Sequence, residues 1–171
     1  RDFNGNIVVS HDIPGPTSLS IDNFFKLYSK YNDLILALNI KSDGLQDLLN
    51  EKLTEYGISN YFVFDMSVPD LINYSKKNIT FFTRVSEFEK DLPMFEKSNG
   101  IWLDSFNENW FSAKKIKEFI DMNKKVAIVS SELHGRSKIK LWSILKKSKL
   151  NMSEKLILCT DYPDEAISFF N

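Results

Sequence analysis

The sequence of 171 residues has little of several residue types, and each scarcity excludes a class of protein. It contains one cysteine, Cys159, so an intramolecular disulfide framework is impossible. No apolar run approaches the roughly 20 residues that a membrane-spanning helix needs, so we expect no membrane span. The net charge is only −1, which gives no general attraction to nucleic acid. The sequence therefore predicts a cytoplasmic protein without a nucleic-acid partner.

Arginine and histidine are also scarce, which makes their positions informative. Three arginines occur among the 22 basic residues, and there are two histidines. All of them except Arg1 fall at or just after a predicted strand end: Arg84, Arg136, His11 and His134. Because α/β proteins place their chemistry at the carboxyl ends of strands, these four residues become candidates for a functional site.

Apolar segments alternate with helical patterns along the whole chain, and fourteen Phe can fill a sizeable core. Strands are predicted at residues 7–10, 34–40, 61–64, 79–82, 101–103, 126–129 and 156–159. Helices are predicted at residues 20–31, 45–56, 69–76, 113–122, 139–145 and 163–170. The strands are apolar throughout, which is typical of parallel strands that are buried on both faces.

Seven strand–helix units predict an α/β fold of the (βα)8 TIM-barrel type, with residues 1–171 as a single domain. This count is one unit short of a complete barrel. Because the chain begins with Arg1 rather than Met, we expect the first βα unit to lie upstream. The alternative is an open doubly wound sheet. No Gly-x-Gly-x-x-Gly turn follows a predicted strand, which argues against a dinucleotide-binding form.

In a barrel, the polar residues that follow the strands face one mouth. Carboxylate and amide oxygens suit a hard cation such as Mg²⁺ or Ca²⁺, whereas Lys and Arg suit a phosphate. Histidines suit acid–base catalysis. The candidate metal ligands are Asp12, Asn39 and Asp43; the candidate phosphate-binding residues are Lys41, Arg84 and Arg136; the candidate catalytic residues are His11 and His134.

Structural roles are the alternative for several of these strand-end residues. A loop between a strand and a helix often ends in an Asp that caps the helix. Three aspartates fit that description, namely Asp65, Asp104 and Asp161. Lys41 and Asp43 also fit an ordinary turn pair.

Several segments, in order along the chain, resemble the glycerophosphodiester phosphodiesterases, which belong to the phospholipase C-like phosphodiesterase barrels. Residues 2–12, Asp-Phe-Asn-Gly-Asn-Ile-Val-Val-Ser-His-Asp, resemble the family's D-G-x-x-V-V-x-H-D segment. Residues 36–41, Leu-Ala-Leu-Asn-Ile-Lys, stand where the family has L-x-I-E-x-K, and residues 62–65 resemble its S-F-D strand. Residues 100–104 and 159–163 resemble its later strands, the last as T-D-x-P.

The resemblance implies cleavage of a small phosphorylated substrate that is a phosphodiester, assisted by a divalent cation. One histidine would take a proton from the attacking hydroxyl or water, and the histidine that matches His11 would protonate the leaving alkoxide. The sequence departs from the family at three places. The H-R and E-x-D motifs are not in the chain, Asn39 replaces a metal-binding glutamate, and residues 130–136 differ from the usual W-T-V-N strand.

Two other functions remain open at the level of sequence. A non-catalytic barrel could bind a phosphorylated sugar or polyol within a larger biosynthetic protein. An unrelated (βα)8 isomerase or aldolase could use Lys41 as an amine nucleophile.

Overall fold

The computed structural model describes residues 1–31 and 33–171, and the chain divides into two compact units, Arg1–Phe81 and Phe82–Asn171. The first unit contains the strands β1 (Asp2–Phe3), β2 (Asn6–Val9), β3 (Leu19–Ser20), β4 (Leu36–Asn39) and β5 (Tyr61–Phe64). Its helices are α1 (Ile21–Tyr28), α2 (Gln46–Glu55) and α3 (Val68–Lys76), with a 3₁₀ turn at Ser29–Tyr31.

The first predicted strand lies in an antiparallel sheet, so its predicted place as a parallel barrel strand is wrong. β2 pairs with β1 on one side and with β3 on the other, both antiparallel. The reason is the turn between β1 and β2, where Asn4 and Gly5 have φ values of 52° and 78°. Positive φ at both central residues makes the type I′ turn that joins hairpin strands, and Asn-Gly favours it.

β4 and β5 pair in parallel, as the sequence predicts, and a parallel bridge joins Val63 to Phe81. Two helices of this unit, α1 and α3, begin at side-chain caps. Ser20 caps α1 by accepting the N–H of Asn23, and Ser67 caps α3 by accepting the N–H of Asp70. Buried apolar side chains, such as Phe25, form the core of the unit.

The second unit is built on a four-stranded parallel sheet, with the strands in chain order. Its strands are β6 (Phe82–Val85), β7 (Gly100–Leu103), β8 (Lys125–Val129) and β9 (Leu156–Cys159). Its helices are α4 (Ala113–Asp121), α5 (Ile139–Lys147) and α6 (Pro163–Phe170), with 3₁₀ turns at Phe95–Lys97, Ser131–His134 and Leu150–Met152. Trp142 on α5 is buried in the core of this unit.

The parallel strands from β4 onward confirm the α/β class, whereas a closed (βα)8 barrel and a single domain stay predictions. One strand boundary was predicted too early. β6 spans Phe82–Val85 rather than residues 79–82, so Arg84 lies inside this strand and not after it. Among the described residues, no helix is long and apolar enough to cross a bilayer.

Candidate functional site

The first unit contains a cavity of about 270 Å³, bordered by β2, α1, β4 and the start of α2. Its apolar lining includes Ile7, Val8 and Leu36. The polar residues that line it are Arg1, Ser10, His11, Asn39 and Lys41. Three residues that the sequence selects for separate roles therefore border one cavity, namely His11, Asn39 and Lys41.

His11 is at the exposed edge of this cavity. Its side chain is 88% exposed, and its Nδ1 lies 2.9 Å from Oδ1 of Asp12, which is 91% exposed. The main chain at this point is held by the Arg1 guanidinium, which donates to the carbonyl of His11 at 3.0 Å. Because surface ion pairs are weak, we expect the imidazole to remain available to a ligand.

Asn39, the last residue of β4, is tied to the neighbouring strand. Its Nδ2 donates to Oδ2 of Asp65 at 2.9 Å. Asp65 follows β5 directly and has a positive φ of 67°. The interaction is between an amide and a carboxylate, so Asn39 orients its amide through Asp65 and presents its oxygen as the remaining ligand atom.

Lys41 begins a loop that is held at three points. The N–H of Asp2 donates to Oγ of Ser42 at 3.2 Å. Oγ of Ser67 lies 3.1 Å from both carboxylate oxygens of Asp43. The N–H of Gly44 donates to Oδ1 of Asp70 at 3.1 Å. The segment around Lys41 is therefore fixed by β1 and by the first turn of α3.

The three predicted metal ligands have different protein partners. Asp12 pairs with His11, Asn39 with Asp65 and Asp43 with Ser67. In the described part of the chain, no group of three or more His, Cys, Asp or Glu side chains is placed to hold a metal ion. We therefore assign no chemical step to a cation, and ligation by these three residues stays a prediction.

In the second unit, His134 pairs with a carboxylate that is nearly buried. Its Nε2 lies 2.7 Å from Oδ1 of Asp104, and these side chains are 22% and 10% exposed. Asp104 follows β7, and His134 ends the 3₁₀ turn that follows β8, so neighbouring parallel strands bring the two together. The ring of Phe106 packs against the imidazole, with 4.9 Å between centroids.

Arg136 binds the loop that follows β7. Its Nη2 donates to the carbonyl of Ser105 and to Oγ of Ser105, the latter at 3.0 Å. Its Nη1 lies 3.5 Å from Oδ1 of Asn109. Its Nε is buried and has no hydrogen-bond partner among the described residues. A phosphate would have to share this guanidinium with the loop, so the predicted phosphate-binding role of Arg136 stays a prediction.

Arg84 is paired with Glu89. Its Nε donates to Oε2 of Glu89 and its Nη2 donates to Oε1 at 2.8 Å, which is the two-pronged geometry that guanidinium groups form with carboxylates. A phosphate would therefore compete with this carboxylate, and the predicted role of Arg84 also stays a prediction.

None of the three strand-end aspartates caps the helix that follows it, so the capping alternative is wrong. Ser67 caps α3 and Ser112 caps α4, while α6 begins after Tyr162 without a side-chain cap. The carboxylates of Asp65 and Asp104 bond instead to Asn39 and His134.

Glu87 is a carboxylate that the sequence analysis did not select. It accepts the backbone N–H groups of Phe106 at 3.1 Å and of Asn107 at 2.6 Å. Burial acts to raise the pKa of Glu87, but these hydrogen bonds and the charge of Arg136 lower it overall. Sequence analysis missed Glu87 because it lies at an irregular segment, in which no strand or helix pattern indicates a hydrogen-bond partner.

A second group of polar residues follows the neighbouring strands β8 and β9. Glu132 accepts hydrogen bonds from the hydroxyls of Ser130 and Thr160, and these lower its pKa although burial acts to raise it. Burial raises the pKa of the Cys159 thiol to about 11, and the charges of Asp161 and other nearby carboxylates add to this. The thiol is therefore protonated at neutral pH and is no nucleophile.

The predicted residues fall in both units. His11, Asp12, Asn39, Lys41 and Asp43 lie in the first, and Arg84, His134 and Arg136 lie in the second. The expectation that strand-end residues such as His11 and His134 face one barrel mouth stays a prediction.

The parallel strand–helix order defines an α/β protein, and His11, Asn39 and Lys41 border one cavity in its first unit. A solved crystal structure with a similar fold is that of a "putative glycerophosphodiester phosphodiesterase" from Galdieria sulphuraria, with a TM-score of 0.68. The alignment covers 97% of this chain and 71% of that chain, at 15% sequence identity. At this identity the likeness shows a shared fold. No protein-family profile and no curated protein matches the chain.

Proposed function

We propose that this protein is a phosphodiesterase-like hydrolase of the (βα)8 type that acts on a glycerophosphodiester or a related phosphorylated sugar or polyol. The observation that carries the proposal is the cavity bordered by His11, Asn39 and Lys41. The fold it shares with the Galdieria sulphuraria structure supports the same reaction class by analogy.

Lys41 supplies the positive charge that attracts the phosphate, and Asn39 offers an amide oxygen to a hydroxyl of the ligand. His11 protonates the oxygen of the leaving alcohol as its bond to phosphorus breaks. Such a group is needed because an alkoxide is a poor leaving group without a proton. The attacking water gives its proton to solvent, and the catalytic role predicted for His134, which lies in the second unit, stays a prediction.

The test compares two leaving groups in the His11→Ala variant. With an alkyl phosphodiester, such as glycerophosphocholine, we expect the rate to fall by about 10² to 10⁴, which is the usual contribution of general acid catalysis. With a p-nitrophenyl phosphodiester we expect a much smaller fall, because p-nitrophenolate leaves readily without a proton. The measurement is kcat/KM for both substrates.

Ile13→Ala is the matched control, since Ile13 is 92% exposed and lies two residues from His11. Equal losses on both substrates in His11→Ala would show that His11 is structural or binds the phosphate. No turnover of any phosphodiester by the wild-type protein would contradict the hydrolase proposal.

A binding module for a phosphorylated sugar or polyol is the second candidate. The observation that favours it is the exposure of His11 and Asp12, because neither side chain is shielded from water as catalytic groups commonly are. In this case glycerol 3-phosphate binds without turnover, glycerol does not bind, and Lys41→Met abolishes the difference. Calorimetric titration of both ligands distinguishes this outcome from hydrolysis.

A further inference from the structure

The cavity of the first unit has polar and apolar residues in different parts of its lining. The polar side chains, such as His11, Asn39 and Lys41, come from the ends of β2 and β4. The side chains that come from strand interiors and from the helices α1 and α2 are apolar. They include Ile7, Val8, Phe24, Leu36, Leu38 and Leu49. The ligand of this cavity therefore meets two kinds of surface.

The polar residues share one end of the cavity, because Arg1 and Asp2 bind both strand ends. The Arg1 guanidinium donates to the carbonyl of His11 at 3.0 Å. The N–H of Asp2 donates at 3.2 Å to Oγ of Ser42, the residue after Lys41. Arg1 also lines the cavity, and its Nε is buried without a hydrogen-bond partner among the described residues. Arg1 and Lys41 therefore give this end of the cavity a positive charge.

Ala37 is the smallest side chain in the lining, and it lies on the same face of β4 as Asn39. Alternate residues of a strand point to one face and are about 6.5 Å apart. The burial of β4 follows this alternation, since Ala37 and Asn39 are exposed while Leu36 is buried and Leu38 is half-buried. The short side chain of Ala37 therefore leaves space for a ligand next to the charged end.

The apolar part of the lining does not match a polyol. A hydroxyl that leaves water for apolar surroundings without a hydrogen bond lowers the affinity of its ligand. A methylene group that is buried in the same place raises the affinity about fourfold. A ligand with a phosphate at one end and hydrocarbon at the other therefore matches both parts of this cavity.

From these observations we propose that the substrate is a phosphodiester with a single hydrocarbon chain, and that Ala37 is the residue that determines this specificity. The inference rests on the proposed function and narrows its substrate to a glycerophosphodiester that carries one acyl or alkyl chain. The phosphate lies beside Lys41 and Arg1, and the chain lies against Ala37 and the apolar side chains. Asn39 meets the hydroxyl that the glycerol keeps. The chain takes no part in the bonds that form and break.

The first experiment is calorimetric titration of the full chain with alkyl phosphates, below the concentrations at which they form micelles. The decisive pair is propyl phosphate and glycerol 3-phosphate, which share a carbon skeleton and differ only in hydroxyl groups. We expect propyl phosphate to bind more tightly. From propyl to hexyl phosphate, the dissociation constant should fall about fourfold for each added methylene. Equal affinity within the pair, or no gain with chain length, would overturn the proposal.

Substitutions of Ala37 test its role in the same titrations. Ala37→Leu fills the space beside Asn39, so we expect the gain in affinity with chain length to disappear. Ala37→Ser keeps the size but adds a hydroxyl, and it should reduce this gain; it decides if Ala37→Leu does not fold. Lys41→Met should weaken all alkyl phosphates alike, because it removes a charge at the other end. Thr54→Leu is the control, since Thr54 is exposed on α2 outside the cavity lining, and equal gains in it and in both Ala37 variants would reject the role of Ala37.

The second experiment measures turnover and separates this proposal from the proposed function. The substrates are glycerophosphocholine and the same molecule with a hexanoyl chain on its glycerol. We expect kcat/KM to be at least about tenfold higher for the acylated substrate, as hydrophobic pockets discriminate between substrates. If the wild type hydrolyses neither substrate, the proposed function fails, while the titrations still decide whether the cavity accepts a chain. If it hydrolyses glycerophosphocholine at least as well as the acylated substrate, this proposal fails and the proposed function stands.

Discussion

Of two buried tyrosines in the first unit, one has a hydrogen-bonded hydroxyl and the other does not. The hydroxyl of Tyr74 is buried and has no hydrogen-bond partner among the described residues. The hydroxyl of Tyr28 donates to the carbonyl of Leu34. Burial is the largest cause that raises the pKa of each tyrosine, so both hydroxyls are protonated at neutral pH.

We expect Tyr74→Phe to raise the free energy of unfolding by about 1 to 3 kcal/mol, because it removes an unsatisfied buried polar group. Tyr28→Phe should lower it by about 0.5 to 1.5 kcal/mol, because it removes a hydrogen bond. Urea unfolding of both variants measures the two changes. Destabilisation by Tyr74→Phe would mean that its hydroxyl has a partner.

The environment of Asp70 predicts that the stability of the protein depends on pH. Burial raises the pKa of Asp70 above its usual value of 3.8, the charge of Asp43 adds to this, and the hydrogen bond from Gly44 opposes it. In the range between the usual and the raised pKa, the folded state binds more protons than the unfolded state. The free energy of unfolding therefore falls as the pH rises through this range.

In Asp70→Asn we expect the free energy of unfolding no longer to fall as the pH rises through this range, because an amide does not ionise. The amide oxygen still accepts the N–H of Gly44. The measurement is the free energy of unfolding at pH 4 and at pH 7, by urea titration. Asp121→Asn, on the exposed face of α4, should keep the wild-type difference. A wild-type pH difference that persists in Asp70→Asn would contradict the assigned cause.

At the scale of residues, scarcity and position in the sequence selected side chains that do border a cavity. His11 and Lys41 were found because they follow apolar segments. The partners of the selected residues were harder to foresee, since the Asp104–His134 and Asn39–Asp65 pairs depend on strand register. Sequence order brings strands together but does not fix which side chains point toward each other.

β7 begins at Gly100, where the neighbouring residues leave no room for a side chain. A Cβ atom on Gly100 would lie 2.6 Å from the carbonyl oxygen of Lys125 and 2.6 Å from the ring of Phe82. Both contacts are closer than real Cβ atoms approach, and one involves backbone that cannot turn aside.

We expect Gly100→Ala to lower the free energy of unfolding by about 1 to 3 kcal/mol, as overpacking of a core does. Gly15→Ala is the matched control, because nothing lies within 4 Å of its Cβ position and its φ is not positive. Thermal or urea unfolding compares the two variants. If both variants were equally stable, the close approach of β6 and β8 to Gly100 would be wrong.

At the scale of elements, apolar runs predicted most strands and helices, whereas pairing partners needed turn geometry. The helix of residues 163–170 was predicted at its observed bounds, since Pro163 fits a first turn. The β1–β2 hairpin was missed because the Asn4-Gly5 pair ahead of the first predicted strand was not used as a hairpin turn. β6 was predicted three residues early because residues 79–81 are as apolar as the strand itself.

Over the whole molecule, the α/β class and the order of the parallel strands followed from the repeated apolar segments. The closure of a barrel did not, because it depends on how many units take part and on their stagger, which no single segment encodes. The antiparallel start of the chain shows the limit, since an apolar β-branched run fits either kind of sheet.

Cation binding depends on how many carboxylates the whole chain brings together. We expect at most weak binding of Mg²⁺ and Ca²⁺, because affinity for hard cations rises with the number of charged oxygen ligands and Asn39 is neutral. Calorimetric titration of the full chain with each ion measures the affinity. Submicromolar affinity would show that carboxylates such as Asp12, Asp43 or Asp65 complete a site.

The loop that begins at Lys41 is fastened to β1 and to the first turn of α3. Fixing the backbone of one residue costs about 1 to 2 kcal/mol of conformational entropy. In this loop the entropy is lost when the protein folds. A ligand that binds Lys41 therefore does not have to order the chain around it. A single lysine charge then suffices for measurable affinity, because little of the interaction energy is spent on immobilising the binding site.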